Sequence, residues 1–329
     1  MYHKVVSGNL PKSCMIEQSR WKEIFIMENL EVNIRSYLEY CKIQKRLDGK
    51  TLKAYRIDLR QFLEEIVDAE ITVDLLEDYI GKLHEEYKPK TVKRKIASLK
   101  AFFHYLEYKE MIDRNPFNKI QLHFREPVIL PKTIPLGIIE KFLGTIYGEI
   151  DNARTVYQKR NALRDVAVVE LLFATGMRIS ELCTLKNSDV DLENGVVLIY
   201  GKGSKERRLQ IGNQEVIAVL KRYKNDFRDE IGRCGHFFVN QSSKVLSDQA
   251  VRRMINKYTV MAAIELHITP HMFRHTFATA LLEADVDIRY IQEMLGHSSI
   301  MITEIYTHVA TSKQRDILAT KHPRKNFKI

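Results

Sequence analysis

Between Asp113 and Gly137 the chain reads DRNPFNKIQLHFREPVILPKTIPLG, with Pro116, Pro127, Pro131 and Pro135 and no sustained hydrophobic period. Proline lacks a backbone donor and biases the residue before it away from helix, so a helix entering this span is broken repeatedly. The stretches on either side are helical in pattern. Such a break between two helical regions separates two packed units, and the boundary is expected as a linker over residues 114–133.

Residues 27–113 are expected to form a helical domain. NIRSYLEYCKIQ places Ile34, Leu38 and Cys41 on one helical face. GKTLKAYRIDLRQFLEEI turns Leu52, Tyr55, Leu59, Phe62 and Leu63 inward and Lys53, Arg56 and Arg60 outward. TVDLLEDYIGKLHEE makes a third helix, which Thr72 can cap. In YKPKTVKRKIASLKAFFHYLEYKEMI, Pro89 marks a break and Thr91 is the expected N-cap. Val92, Ile96, Leu99, Phe102, Phe103 and Leu106 form its buried stripe. Lys90, Lys93, Arg94 and Lys95 crowd its first turn, where the helix dipole alone favours acids. A phosphate at that helix start resolves the conflict; a solvated basic face is the alternative. Residues 1–26 carry no comparable pattern and stand as an unassigned N-terminal extension.

Charge points the same way as this helix. Lys+Arg total 52 against 42 Asp+Glu, a formal net charge of +10, which favours a polyanionic partner and nucleic acid above all. Cys14, Cys41, Cys183 and Cys234 are scattered without a CxxC pair, so neither a disulfide framework nor a zinc ribbon is expected. No apolar run reaches the roughly 18 residues of a membrane span. The first residues lack the apolar core of a secretory signal, and a cytoplasmic protein without a membrane partner is expected.

The region 134–318 reads as mostly helical with one hairpin, followed by a basic tail over 319–329. NGVVLIYGKGSKERRLQIG supplies the hairpin: Val196 to Tyr200, a Gly-rich break, then Arg208 to Ile211. Five stretches here carry polar residues that are awkward as pure structure. In FATGMRISEL, Gly176 ends one helix and Arg178 opens the next; in YGKGSKERR, Lys202 lies between two glycines. That second stretch does not meet the phosphate-loop pattern GxxxxGK[ST]. In TPHMFRHTFATALL, Thr269 caps, Pro270 fills the first turn, His271 and Arg274 share a face, and Phe273, Phe277 and Leu281 pack. His271 and His275 have zinc spacing, but HExxH needs Glu where this chain has Met272, so no metal is expected. His297, after the Gly296 break, and Tyr306 complete the set. Singly, each has a plain reading: an ion pair for Arg178, a solvated turn for Lys202, capping or packing for the histidines.

Together they suit attack on a phosphodiester. Arg178 and Arg274 offer forks of donors to non-bridging phosphate oxygens. Tyr306 supplies the nucleophile, and full deprotonation at pH 7 from a pKa near 10 would cost about 4 kcal/mol. A base taking the proton during attack avoids most of that cost, and His271 is the candidate. Lys202 can protonate the leaving 5′ oxygen, and His297 can donate to the phosphate.

At these residues the sequence resembles the tyrosine recombinases, the phage-integrase-type site-specific recombinases, and most closely their Xer-like branch. The matching stretches are ATGMRISEL, GKGSKERR, TPHMFRHTFAT, LGHSSI and IYTHV, in family order. TLKAYRIDLRQFLEE and KRKIASLKAFFHYL look like the family's core-binding domain. The resemblance implies a mainly α fold with a small β-hairpin, as a two-domain DNA clamp: a helical core-binding domain plus an α+β catalytic domain. It implies Arg178, Lys202, His271, Arg274, His297 and Tyr306 as the catalytic set, with no cofactor. It also implies duplex DNA with an inverted-repeat core site as partner, bound by a homotetramer or by a heterotetramer with a paralogous recombinase, and passage through a Holliday junction. The expected DNA contacts are Lys53, Arg56, Lys90, Thr91, Lys93, Arg94, Lys205 and Arg207. The tail KQRDILATKHPRKNFKI resembles the segment that docks on a neighbouring protomer; a DNA-touching or disordered tail is the alternative. Rival activities are a type IB topoisomerase-like nicking-closing enzyme and a catalytically silent DNA-binding protein.

Overall fold

The computed structural model describes residues 30–66, 71–122, 131–200 and 206–296. The chain divides into two compact units, residues 1–128 and 129–329.

The first unit is built on four helices: α1 (Leu30–Ile43), α2 (Gly49–Glu65), α3 (Val73–Glu86) and α4 (Pro89–Tyr108). Side chains set two of the starts. Asp48 accepts from the Lys50 and Thr51 amides ahead of α2, and the Thr72 hydroxyl accepts from the Leu75 amide at 3.1 Å ahead of α3. The start of α4 differs from expectation. Lys88 is at the cap position without a side-chain cap bond and Pro89 opens the helix, so Thr91 lies inside it. Proline's fixed φ suits the first helical position, where its missing N–H costs nothing. The stripe Val92, Ile96, Leu99, Phe102, Phe103 and Leu106 is fully buried against Tyr37, Leu59 and Phe62.

Part of the expected linker belongs to this core. Pro116–Lys119 form a short 3₁₀ turn, entered by an Asn115 amide bond to Glu107 Oε1 at 2.9 Å and capped by the Asn115 side chain. Phe117 and Ile120 are buried in the helical core. Two apolar anchors suffice to hold a proline-broken segment down.

An ionic cluster ties α2 to α4. Asp58 is 1% exposed, forms ion pairs with Arg94 and Lys95, and accepts from the Ser98 hydroxyl at 2.8 Å. Lys95, expected on the basic outer face, is instead 3% exposed. It donates to Gln61 and lies 4.7 Å from the Tyr87 ring centroid. Burial pulls the Lys95 ammonium below its ordinary range, while Asp58 opposes that shift. Lys53, Arg56, Lys90 and Lys93 lie further out on the same two helices and are exposed.

In the second unit α5 (Leu136–Asp151) and α6 (Val156–Thr175) precede the short α7 (Ile179–Thr184). An antiparallel sheet of β1 (Val190–Asp191), β2 (Val196–Tyr200) and β3 (Glu206–Gln210) follows, ordered β1-β2-β3. The hairpin pairs Val197 with Leu209 and Ile199 with Arg207, and it acquires β1 as a third strand beyond the two expected. Helices α8 (Gln214–Asp226), α9 (Arg228–Cys234), α10 (Asp248–Met261), α11 (Pro270–Glu283) and α12 (Ile288–Leu295) complete the described part.

The core forms around α6, whose residues 162–169 are all buried. A capping box of Thr155 and Gln158 starts this helix. Inside it, Asp165 accepts from Arg164 and from the Tyr258 hydroxyl, so the buried carboxylate is not left alone. The Thr276 hydroxyl accepts from the Ile134 amide at 2.8 Å, fixing the entry into this unit on α11. Cys41 and Cys234 are free thiols. Among the described residues, no helix is long and apolar enough to cross a membrane.

Removing the carboxylate of the ionic cluster leaves the buried Lys95 ammonium without its counter-charge. Asp58→Ala is expected to destabilise the first unit by about 3–5 kcal/mol, read as a lowered midpoint of urea unfolding followed by circular dichroism.

Candidate active site

Gly176 closes α6 at φ +60°, and a Cβ there would lie 2.5 Å from Phe277 Cδ1. Only glycine fits both the left-handed backbone and the close pass of α11. Two residues on, Arg178 stands at the cap position of α7, and its amide donates to Glu181 Oε2 at 2.8 Å. Its guanidinium donates from Nη1 to Glu181 Oε1 at 2.8 Å and from Nη2 to the Gly296 carbonyl at 3.3 Å. The side chain is 35% exposed. Among the described residues, these bonds use two of its five side-chain N–H groups.

Arg274 comes from α11 and is 4% exposed. It donates to the Gly176 carbonyl at 2.9 Å and to the Leu295 carbonyl at 2.6 Å. Arg207 comes from β3 and completes a third side. Its Nε donates to the Met294 carbonyl at 2.9 Å, while Nη1 and Nη2 fork onto Glu181 at 3.0 and 2.7 Å. The last carbonyls of a helix have no partner inside it and carry its negative pole. Here three guanidinium groups from three elements take the carbonyls of residues 294, 295 and 296 at the end of α12. Gly296 is left-handed at φ +64°, and a Cβ on it would lie 3.0 Å from Arg207 Nη1.

The electrostatics follow from this packing. Burial would raise the Glu181 carboxyl, but hydrogen bonds from the Arg207 side chain and the Arg178 amide, then the charge of Arg207 and a bond from the Arg178 side chain, hold it below its usual range. His271 lies one residue after Pro270 at the start of α11 and is exposed. Partial desolvation, then the guanidiniums of Arg252, Arg274 and Arg178, push its imidazole down. His275, one turn on, is pushed down to about 4 by burial and then by His271 and Arg274. Both imidazoles are therefore neutral at neutral pH. A neutral His271 can accept a proton, and two fixed guanidiniums beside it favour an anion with paired oxygens.

The structure thus brings together Arg178, Arg274 and His271 of the expected set. Lys202, Lys205, His297 and Tyr306 lie outside the described residues, as do the first residues and the tail. Thr269 is at the cap position of α11 but makes no side-chain cap bond. Two expected DNA contacts have other work. Arg207 turns inward, 10% exposed at its side chain and held by Glu181 and Met294, because a buried carboxylate outcompetes solvent for its fork. Arg94 is paired with Asp58, though its side chain stays 44% exposed. The residue that sequence reading passed over is Glu181. Its signal was present: it follows the cap position Arg178 by three residues, the spacing of a capping box. Among the described residues, no three His, Cys, Asp or Glu side chains group so as to hold a metal ion.

Two family descriptions match this chain: "Phage integrase family" over residues 146–313 and "Phage integrase, N-terminal SAM-like domain" over residues 34–110. It is 71% identical over 304 residues to a tyrosine recombinase of Agathobacter rectalis, covering 92% of this chain and 99% of the relative. It is 34% identical to tyrosine recombinase XerC of Bacillus subtilis, covering 91% and 98%. Against tyrosine recombinase XerD of Halalkalibacterium halodurans the identity is also 34%, covering 91% and 100%. Among solved structures, XerH site-specific recombinase bound to palindromic difH substrate matches with a TM-score of 0.67 at 23% identity, over 86% of this chain and 83% of that one. A lambda integrase dimer bound to a COC′ core site matches at 0.65 and 18%, over 91% and 82%. These two likenesses show the fold.

The depressed His275 pKa sets an acid limit on this unit. Neutral in both states above its ordinary 6.5, the imidazole protonates first in the unfolded chain as pH falls. Stability is therefore full above about 6.5 and is lost progressively toward about 4, by up to roughly 3 kcal/mol. In His275→Gln, urea midpoints measured from pH 7 to 4.5 should fall less steeply than in the wild type.

Proposed function

Because this chain belongs to the phage integrase family and is a tyrosine recombinase, a site-specific enzyme that breaks and rejoins DNA strands, we propose that Arg178, Lys202, His271, Arg274, His297 and Tyr306 form its catalytic set. The observation that carries this reading is the seating of Arg178 and Arg274 on one helix end. Both guanidiniums are held by the carbonyls of residues 295 and 296, directly before His297. A phosphate reaching that point meets donors whose orientation is already fixed, so little reorganisation is needed as charge builds on phosphorus.

In this reading Tyr306 Oη attacks the scissile phosphorus, and its proton passes to the neutral His271. The bond from phosphorus to the 5′ oxygen breaks as Lys202 delivers a proton to that oxygen. Arg178, Arg274 and His297 bear the non-bridging oxygens. The product is a 3′-phosphotyrosyl ester and a free 5′ hydroxyl. The ester conserves the energy of the broken bond, so a 5′ hydroxyl from a second strand can attack it, release Tyr306 and reseal without ATP. Two such exchanges, with a Holliday junction between them, recombine two duplexes.

Lys53, Arg56, Lys90 and Lys93 are the proposed backbone contacts of the first unit, with Thr91 beside them and Lys205 from the second. Pairing of two inverted half-sites on each of two duplexes calls for four protomers, either identical or shared with a paralogue. The cytoplasm, where bacterial chromosomes lie, is the proposed place of action. Resolution of chromosome dimers and integration or excision of mobile elements use this same chemistry.

The test begins with duplexes recovered by in vitro selection on the full chain. A nick close to the cleaved position lets the short 5′-hydroxyl fragment diffuse away and traps the adduct. In chelator and without ATP, the wild type should give a covalent protein–DNA band and Tyr306→Phe none, at equal binding. A wild type that binds the duplex without forming a band, or a Tyr306→Phe band of equal intensity, contradicts the reading.

A further inference from the structure

We infer that Arg207 is a positioning residue of the strand-transfer site, acting as the counter-charge that stops Glu181 from neutralising Arg178; the inference rests on the recombinase reading above. The sequence places Arg207 on a basic hairpin, where a phosphate contact is the natural expectation. Its geometry gives it a different task.

Glu181 is a nearly buried carboxylate, 8% exposed at its side chain, between two guanidiniums. Arg207 meets it with a two-pronged fork, Nη1 on Oε1 at 3.0 Å and Nη2 on Oε2 at 2.7 Å. Arg178 meets it through one side-chain nitrogen, at 2.8 Å on Oε1. The forked pair is the stronger and more directional contact. With Arg207 in place, the carboxylate and the forked guanidinium cancel, and Arg178 keeps a net positive charge toward the surface. Without Arg207, the same carboxylate is left facing Arg178 alone and the pair sums to zero. Arg178 is 35% exposed, so solvent screens part of that difference, but over a few ångströms it still acts on an incoming phosphate.

Arg207 also joins elements that carry the catalytic residues. It leaves β3, at the end of the hairpin connection that contains Lys202, and its Nε holds the Met294 carbonyl at the end of α12. Gly296 lies close against its guanidinium, with space for no side chain: a Cβ would be 3.0–3.2 Å from Nη1, Cδ and Cζ. The neighbouring Arg208 is exposed and makes no comparable contact among the described residues.

The test uses the full chain, the same nicked duplex, and the variants Arg207→Met and Glu181→Gln/Arg207→Met. Rates of covalent adduct formation are compared with duplex affinity by fluorescence anisotropy and with thermal melting. Arg207→Met is expected to slow adduct formation about 100-fold, with affinity within roughly threefold of wild type because one inward-facing residue leaves the phosphate contacts intact. The double substitution removes the stranded carboxylate, and the amide oxygen of the introduced glutamine still accepts from the Arg178 amide. It should melt higher than Arg207→Met and regain about tenfold in rate. A role limited to packing predicts no such regain, since the double variant has lost more contacts. Arg207→Met reacting at the wild-type rate overturns the inference, as does a folded double variant no faster than Arg207→Met. Both leave the recombinase reading intact, whereas a wild type that binds without forming an adduct removes the reading and the inference with it.

Discussion

The second unit depends on how the end of one short helix is satisfied. The final carbonyls of α12 project a negative pole that must be met by donors or by water. Arg178, Arg207 and Arg274 meet it from a helix start, a strand and a second helix. The shared end of α12, with Glu181 between two of the three, fixes them together. The rest of the unit holds this meeting in place. The buried α6 delivers Gly176, Phe277 packs against that glycine, and β3 brings Arg207 across.

The first unit uses ion pairing for another purpose. Asp58 draws Arg94 and Lys95 toward α2 and so fixes the rotation of α4 about its axis. That rotation determines which of its cations remain outside. Lys90 and Lys93 stay exposed while Lys95 is swallowed. Both units therefore sort their cations in the same way: a buried carboxylate takes some inward, and others stay at the surface where a polyanion can reach them.

What the sequence discloses and what it conceals divide along contact range. The α4 stripe from Val92 to Leu106 was legible because a 3.6-residue period survives in the chain, and every expected member is buried. The breaks at Gly176 and Gly296 were legible because glycine is the usual solution at a left-handed helix end, and both have positive φ. The two-residue β1 was not, having no period to show. The inward turn of Arg207 depends on Glu181, 26 residues away, and on Met294, 87 away. Lys95 likewise answers to Gln61, 34 residues earlier. Residue type alone cannot separate a cation that meets DNA from one that meets a buried acid. Phe117 and Ile120 were hidden by the prolines around them, since a linker pattern does not reveal which of its apolar residues find a core.

The most direct test is a crystal structure of the full chain on a nicked duplex carrying its selected site, trapped after cleavage. The account predicts phosphate oxygens about 3 Å from guanidinium nitrogens of both Arg178 and Arg274, with the Leu295 and Gly296 carbonyl bonds still in place. A phosphate held by other cations, with either arginine out of hydrogen-bond reach, would contradict it.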